Sequence, residues 1–235
     1  MPQDSRTVIA IDGPSGSGKS STSKGVASRL GLAYLDTGAM YRAAAWLVRE
    51  RGTDPQDRAA VAELVAGAEL AISTSPTQPQ IRIEGHDVTE AIRDPEISAT
   101  VSNVATNQDV RRSLIARQRA IIAASPTGIV VEGRDITTVV APDADLRILL
   151  VADPQARVTR RHAELGDRVD EAAVTDQVLR RDRDDSTVAA FTEAAEGVTV
   201  VDSTHLDLPQ VIATICRLAT EGPTSTAEPT TQEQP

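Results

Sequence analysis

The sequence predicts an α/β domain built on a parallel β-sheet core flanked by helices. Three observations predict it. Apolar runs of strand length, 8–11, 128–131 and 146–151, are bounded by turn residues and separated by helix-compatible segments, as strands buried on both faces require. The first run leads directly into Gly13-Pro14-Ser15-Gly16-Ser17-Gly18-Lys19-Ser20, which fits the phosphate-loop pattern G-x-x-x-x-G-K-[ST] in its required strand-to-helix context. At 235 residues and 40% hydrophobic content, the chain holds one such domain with room for an inserted subdomain.

Composition narrows the function classes. A net charge of -10 repels nucleic-acid backbones, and 2% aromatic residues leave no stacking platform for single strands, so nucleic acid is not an expected partner. No apolar run approaches the roughly 18 residues of a membrane span, and no charged start with an apolar signal core is present. The single cysteine, Cys216, cannot form an internal disulfide. A cytoplasmic, monomeric protein that touches no membrane is the expectation.

Taken in order, 1–6 is a frayed start. The strand 8–12 runs into the phosphate loop, whose glycines let successive N–H groups point inward. The helix after it, 21–30, adds its N-terminal dipole to that anion site. In this motif Lys19 reaches the β- and γ-phosphates and the Ser20 hydroxyl ligates Mg²⁺. A short strand at 33–35 breaks at Asp36-Thr37-Gly38 into a helix ending near Gly52. Asp36 or Thr37 caps that helix, contacts a ligand at the strand's carboxyl end, or does both.

From 54 to 107 the rhythm changes. A helix over 58–68 and a polar stretch precede alternating strands over 80–88 around the Glu84-Gly85 turn, and 90–102 returns helically, so this segment reads as an insert. His86 is a solvated turn histidine. An amphipathic helix over 110–123 carries Arg111, Arg112, Arg117 and Arg119, most of them on a solvated face.

The strand 128–132 ends in Glu132-Gly133-Arg134-Asp135, opposite charges at a strand's carboxyl end that favour function over packing. The strand 146–151 leads to Asp153-Pro154, an N-cap followed by a first-turn proline. In the next helix Arg157, Arg160 and Arg161 share a face and repel one another unless an anion or Glu164 lies there. A helix from 171 ends in the charged run 180–186, the last strand spans 197–203, and a closing helix spans 208–218. The acidic tail 222–235 has the composition of disorder.

Three chemistries fit a phosphate loop. A regulatory GTPase carries an Asn-Lys-x-Asp motif, which this chain lacks, and its only lysines are Lys19 and Lys24. A motor or transporter ATPase carries a second strand ending in acid, which 149–153 imitates loosely. Phosphoryl transfer to a small phosphate fits best. A phosphate monoester with second pKa about 6 is already mostly dianionic at neutral pH, so the enzyme supplies cations rather than a base.

Four blocks carry a resemblance: 13–21; Leu35-Asp36-Thr37-Gly38-Ala39-Met40-Tyr41-Arg42; Glu132-Gly133-Arg134-Asp135-Ile136-Thr137-Thr138; and Arg181-Asp182-Arg183-Asp184-Asp185-Ser186. With 84–93 and 201–204, they make the chain similar to the bacterial cytidylate kinases over nearly its whole length to about Leu218. The resemblance implies a P-loop kinase fold, with core segments 7–53 and 108–221, a monophosphate-binding insert about 54–107 and a small lid about 157–185. It implies Mg²⁺-dependent transfer from ATP to CMP or dCMP. By analogy, Gly13, Pro14, Ser15, Gly16, Ser17, Gly18, Lys19, Ser20, Ser21 and Arg157 bind ATP, and Ser20 holds the metal. Thr37, Tyr41 and Arg42 line the acceptor site, with Arg42, Arg134 and Arg181 on its phosphate. Ser102, Arg117 and Asp135 face the cytosine, and Asp185 the ribose. Lys19, Arg134 and the lid residues Arg160 and Arg161 stabilise transfer. Two departures stand out. Val188 replaces an arginine that contacts the base, a vacancy that Arg183 is placed to fill, and Thr137 replaces a glycine. A kinase for another small phosphate such as UMP, or a non-catalytic nucleotide-binding module, is the alternative.

Overall fold

The structure, a computed structural model, describes residues 6–165 and 193–221. The strand β1 (Thr7–Asp12) leads through the phosphate loop into α1 (Lys19–Leu30). β2 (Ala33–Asp36) passes without a break into α2 (Thr37–Glu50). Then come α3 (Arg58–Gly67), β3 (Leu70–Ile72), β4 (Ile81–Ile83), β5 (His86–Asp87) and α4 (Pro95–Ala105). α5 (Gln108–Ala124), β6 (Gly128–Gly133), β7 (Leu146–Val151) and α6 (Pro154–Leu165) follow, and β8 (Thr199–Asp202) and α7 (Leu208–Glu221) close the described chain.

Five strands form one parallel sheet in the order β2-β6-β1-β7-β8. β1 sits at its centre, and its alternation sorts the core. Ile9 and Ile11 face Val26, Val211 and Ile215 from α1 and α7, while Ala10 on the opposite face joins Met40 and Leu114 from α2 and α5. Ile9, Ala10, Ile11 and Asp12 are all buried, so both faces of the strand are covered and its apolar part reads as a continuous run rather than an alternating one. β3, β4 and β5 make a separate antiparallel sheet within 54–107. Its β4–β5 turn is Glu84-Gly85, with φ of 50° and 78°, the left-handed pair that a two-residue hairpin favours. The short β3 falls in a stretch whose composition reads as loop.

One helix boundary and one turn have local causes that the sequence does not show. α1 starts at Lys19, two residues early, because Gly18 takes φ 88° and starts the helix directly from the loop. Residues 136–140, Ile-Thr-Thr-Val-Val, would suit a strand, yet they wind into a single π-helical turn. The Asp12 carboxylate takes the N–H groups of Ile136 and Thr137 at 2.9 and 2.8 Å, while Arg119 donates to the carbonyls of Val139 and Val140 at 2.6 and 3.2 Å. Both ends of the turn are thus held from outside, and its β-branched preference is overridden. Among the described residues no helix is long and apolar enough to cross a membrane.

Candidate functional site

The site is built where β1, β2 and β6 end together, since an open α/β sheet leaves its ligand crevice at the strands' carboxyl ends. Register places Asp12 beside Gly133 and Asp36 beside Glu132, so the loops after all three strands converge.

On the phosphate-loop side, close approach fixes the glycines. A Cβ on Gly13 would lie 2.1 Å from the Leu150 carbonyl oxygen, and one on Gly16, at φ 75°, 2.8 Å from the Arg157 carbonyl oxygen. Among the described residues no side chain caps α1 and no acid stands in its first turn, so its N-terminal amides and dipole remain directed into the loop. Lys19 is only 7% exposed and donates from Nζ to the Pro14 carbonyl at 2.8 Å, folding its ammonium back over the loop. Ser15 and Ser17 are buried, while Ser20 and Ser21 are exposed at the start of the helix.

Glu132, which the sequence marks only as the charged end of a strand, is 3% exposed beside this loop. Burial and the neighbouring Asp36 charge raise its carboxyl above the usual range, against the pull of Lys19, the Tyr34 hydroxyl and the Ser20 hydroxyl. Tyr34 donates to Glu132 Oε1 at 2.5 Å, and burial followed by the Glu132 charge raises the phenol in turn. Thus a carboxylate on the strand next to the phosphate-loop strand meets the serine expected to hold a metal. Residues 149–153, the stretch that imitates such an acid, lie on the other side of β1.

On the acceptor side, Asp36 caps α2 by accepting from the Ala39 N–H at 2.8 Å, and its other oxygen accepts from Arg42 at 3.0 Å. The cap and the charged role therefore coexist. Burial opposes the Asp36 charge, but Arg42, the Ala39 amide and Lys24 outweigh it and lower the carboxyl. Thr37 is buried and donates to the Glu132 carbonyl at 2.7 Å, tying α2 to β6. Arg134 donates to the Gly13 carbonyl at 2.9 Å and so bridges the two loops. Tyr41, half-buried on α2, has its phenol pushed up to about 12 by burial and then by the Asp135 charge, against Arg111. Ser102 lies half-buried on α4, a helix packed on α2.

The arginine expected to face the cytosine, Arg117, is bonded to backbone carbonyls. Arg117 donates to the carbonyls of Ala68, Ala66 and Val65 at 2.9, 2.8 and 3.3 Å, closing the C-terminal end of α3. The residue paired with Asp135 is Arg111, both side chains being about nine-tenths buried. Six residues along a helix turn a side chain about 120° around the axis. The buried stripe Val110, Leu114 and Gln118 thus leaves Arg111 and Arg117 on opposite flanks.

Arg157 and Arg160 on α6 have separate partners. Arg157, 6% exposed, donates to the Ser15 carbonyl at 2.9 Å, and Arg160 donates to Ser203 Oγ and the Ser203 carbonyl at 2.9 and 2.6 Å. Arg157 is therefore at the phosphate loop, whereas Arg160 is tied to the end of β8. Ser203, which sequence reading passed over, bonds onward to the Val151 carbonyl at 3.0 Å. The backbone of Arg161 continues α6. Arg181, Arg183, Asp185, Val188, residues 166–185 of the expected lid and the tail 222–235 lie outside the described residues.

Comparisons with known proteins point to one family. A family model described as cytidylate kinase matches residues 9–221. A cytidylate kinase of Cutibacterium acnes is 62% identical over 212 residues, spanning 90% of this chain and 95% of its own. A cytidylate kinase of Streptomyces coelicolor is 47% identical over 215 residues, spanning 91% and 93%. A solved structure of an uncharacterized protein from Eubacterium ventriosum aligns with a TM-score of 0.50 at 12% identity, over 91% of this chain and 98% of that one, a likeness of fold alone.

Proposed function

Since the chain belongs to the cytidylate kinase family, we propose that its phosphate loop holds ATP with Mg²⁺ and that Arg42, Tyr41, Ser102, Arg111, Arg134 and Asp135 hold the acceptor nucleotide opposite. The reaction is transfer of the ATP γ-phosphoryl to CMP or dCMP, giving ADP and CDP or dCDP. The observation that carries the residue assignment is the bond from Arg134 to the Gly13 carbonyl, which sets the acceptor loop against the donor loop.

The chain's own groups fit that chemistry. The acceptor phosphate arrives mostly as a dianion and is its own nucleophile, so the site needs no general base. Arg42 and Arg134 offer planar donor pairs that fix a phosphate's orientation, and Lys19 offers a point charge for the transferred group. Arg157 holds the loop from behind through Ser15. The Ser20 hydroxyl and the Glu132 carboxylate present oxygen donors of the kind Mg²⁺ takes. Among the described residues no group of three or more His, Cys, Asp or Glu could hold a metal ion. When bound, Mg²⁺ neutralises charge on the β- and γ-phosphate oxygens. Residues 54–107 serve as the monophosphate-binding insert and about 157–185 as the lid, which excludes water on closing.

ADP release across CMP, dCMP, UMP, AMP and GMP tests the reading, with CMP and dCMP expected to turn over fastest. Preference for UMP would reassign the acceptor, and turnover with none of the five would favour a binding module. Single variants on α5 test the base site. Arg111→Ala is expected to raise the KM for CMP by about 10- to 100-fold, the equivalent of losing a charged hydrogen bond of roughly 1.5–3 kcal/mol. Arg117→Ala is expected to leave that KM nearly unchanged and to lower the melting temperature by loosening the end of α3. The reverse pattern would return the base contact to Arg117.

A further inference from the structure

We infer that Thr137 is a positioning residue for the acceptor nucleotide, acting through Asp12 to hold the loop that carries Arg134 and Asp135. The inference rests on the assignment of that loop to CMP. Asp12 is 1% exposed, and its carboxylate accepts three bonds from two successive residues: Ile136 N–H at 2.9 Å, Thr137 N–H at 2.8 Å and the Thr137 hydroxyl at 2.7 Å. Burial raises its carboxyl, and those donors work against the rise. The hydroxyl is the one member of this clasp that depends on the side chain at 137, the position where the resembling pattern carries glycine. Glycine would keep both amide bonds but lose the third donor and widen the loop's conformational range.

The two ends of the clasp are unequally held. Asp12 lies in β1 between two partners, beside Gly133 on β6 and Leu149 on β7, so the start of the phosphate loop is fixed by the sheet with or without Thr137. Residues 134–137 have just left the sheet. Besides the clasp, the turn's own backbone bonds and the fully buried Ile136 side chain, the contacts that reach them include Arg134 to the Gly13 carbonyl, Arg111 to Asp135 and Arg147 to the Thr137 carbonyl at 3.3 Å. Arg134 and Arg111 are themselves assigned to the acceptor. Loosening the clasp therefore releases the acceptor loop and not the donor loop, and its cost falls on CMP. A loop already ordered before CMP arrives does not have to be ordered by it.

The test is a kinetic split. Thr137→Val keeps the shape and removes the donor, Thr137→Gly restores the family residue, and Thr137→Ser keeps the hydroxyl. The first two are expected to raise the KM for CMP, and the Kd for CMP measured without ATP, by about tenfold. The KM for ATP should stay within about twofold, and Thr137→Ser should bind CMP like the parent enzyme. Equal rises in both KM values, wild-type CMP binding by Thr137→Gly, or failure of the serine to rescue would each overturn the inference. Asp135→Asn separates the two levels of argument. If it weakens CMP and Thr137→Val does not, only this inference fails, whereas wild-type CMP binding by Asp135→Asn removes the base-site reading and this inference with it.

Discussion

Lys19→Ala is expected to lower kcat/KM by about a thousandfold or more while the protein stays folded and still binds CMP. The size follows from what the ammonium faces. It is 7% exposed at the mouth of α1, where a cation aimed at a transferring phosphoryl acts through a medium far less polar than water. Its ammonium donates to a carbonyl within its own loop, five residues back, and the loop itself is shaped by its glycines and the sheet behind them. CMP is assigned to other loops, so its Kd is expected to move little. Lys19→Met keeps the stem and removes only the charge, so loss of turnover in both variants separates charge from packing. Retained turnover in Lys19→Met would take the phosphate loop out of the mechanism.

The phosphate loop was legible because everything the motif requires is contiguous: a buried strand, a run of glycines, a lysine and a hydroxyl, all between Thr7 and Ser20. The sheet was legible for a related reason. Strands such as β1 and β6, covered on both faces, announce themselves as uninterrupted apolar runs bounded by turns. The acceptor site is different, because it is assembled from four separate elements and depends on how each is rotated. α5 shows this best. Its arginines form a charged run in which sequence order favours none of them. What chooses Arg111 is the direction in which α5 turns its flank when Val110, Leu114 and Gln118 go down against the core. The signal was present, since Arg111 and Arg117 flank that stripe on opposite sides, but which flank meets Asp135 is a tertiary fact. Arg160 makes the same point, because its partner Ser203 is 43 residues away and nothing local names it. The π-helical turn at 136–140 was unreadable for a third reason. Its residues prefer extended backbone, and only a buried carboxylate from β1 with an arginine from α5 makes the turn the better choice.

Glu132→Gln is expected to move activity and stability in opposite directions. Glu132 is 3% exposed, and burial together with the Asp36 charge raises its carboxyl from the ordinary 4.5, although Lys19, Tyr34 and Ser20 pull the other way. A carboxyl whose pKa is higher folded than unfolded binds its proton more tightly in the native state. Its stabilising contribution is therefore complete below the unfolded value and lost as pH rises through the folded one. Above that window the ionised group weighs against the fold. Glutamine is neutral at every pH, and its side-chain oxygen can still accept from the Tyr34 hydroxyl. The variant should therefore melt higher than the parent on the alkaline side, with the difference shrinking as pH falls towards the unfolded carboxyl's range. Turnover should fall by about a hundredfold, and the Mg²⁺ concentration for half-maximal activity should rise, because the carboxylate beside Ser20 is the charge that an ATP-bound cation meets. Loss of activity with a lower melting temperature at every pH would make Glu132 a structural partner of Tyr34. Full activity at an unchanged Mg²⁺ requirement would leave Ser20 as the protein's sole contribution to the metal, and the buried charge would then need another explanation.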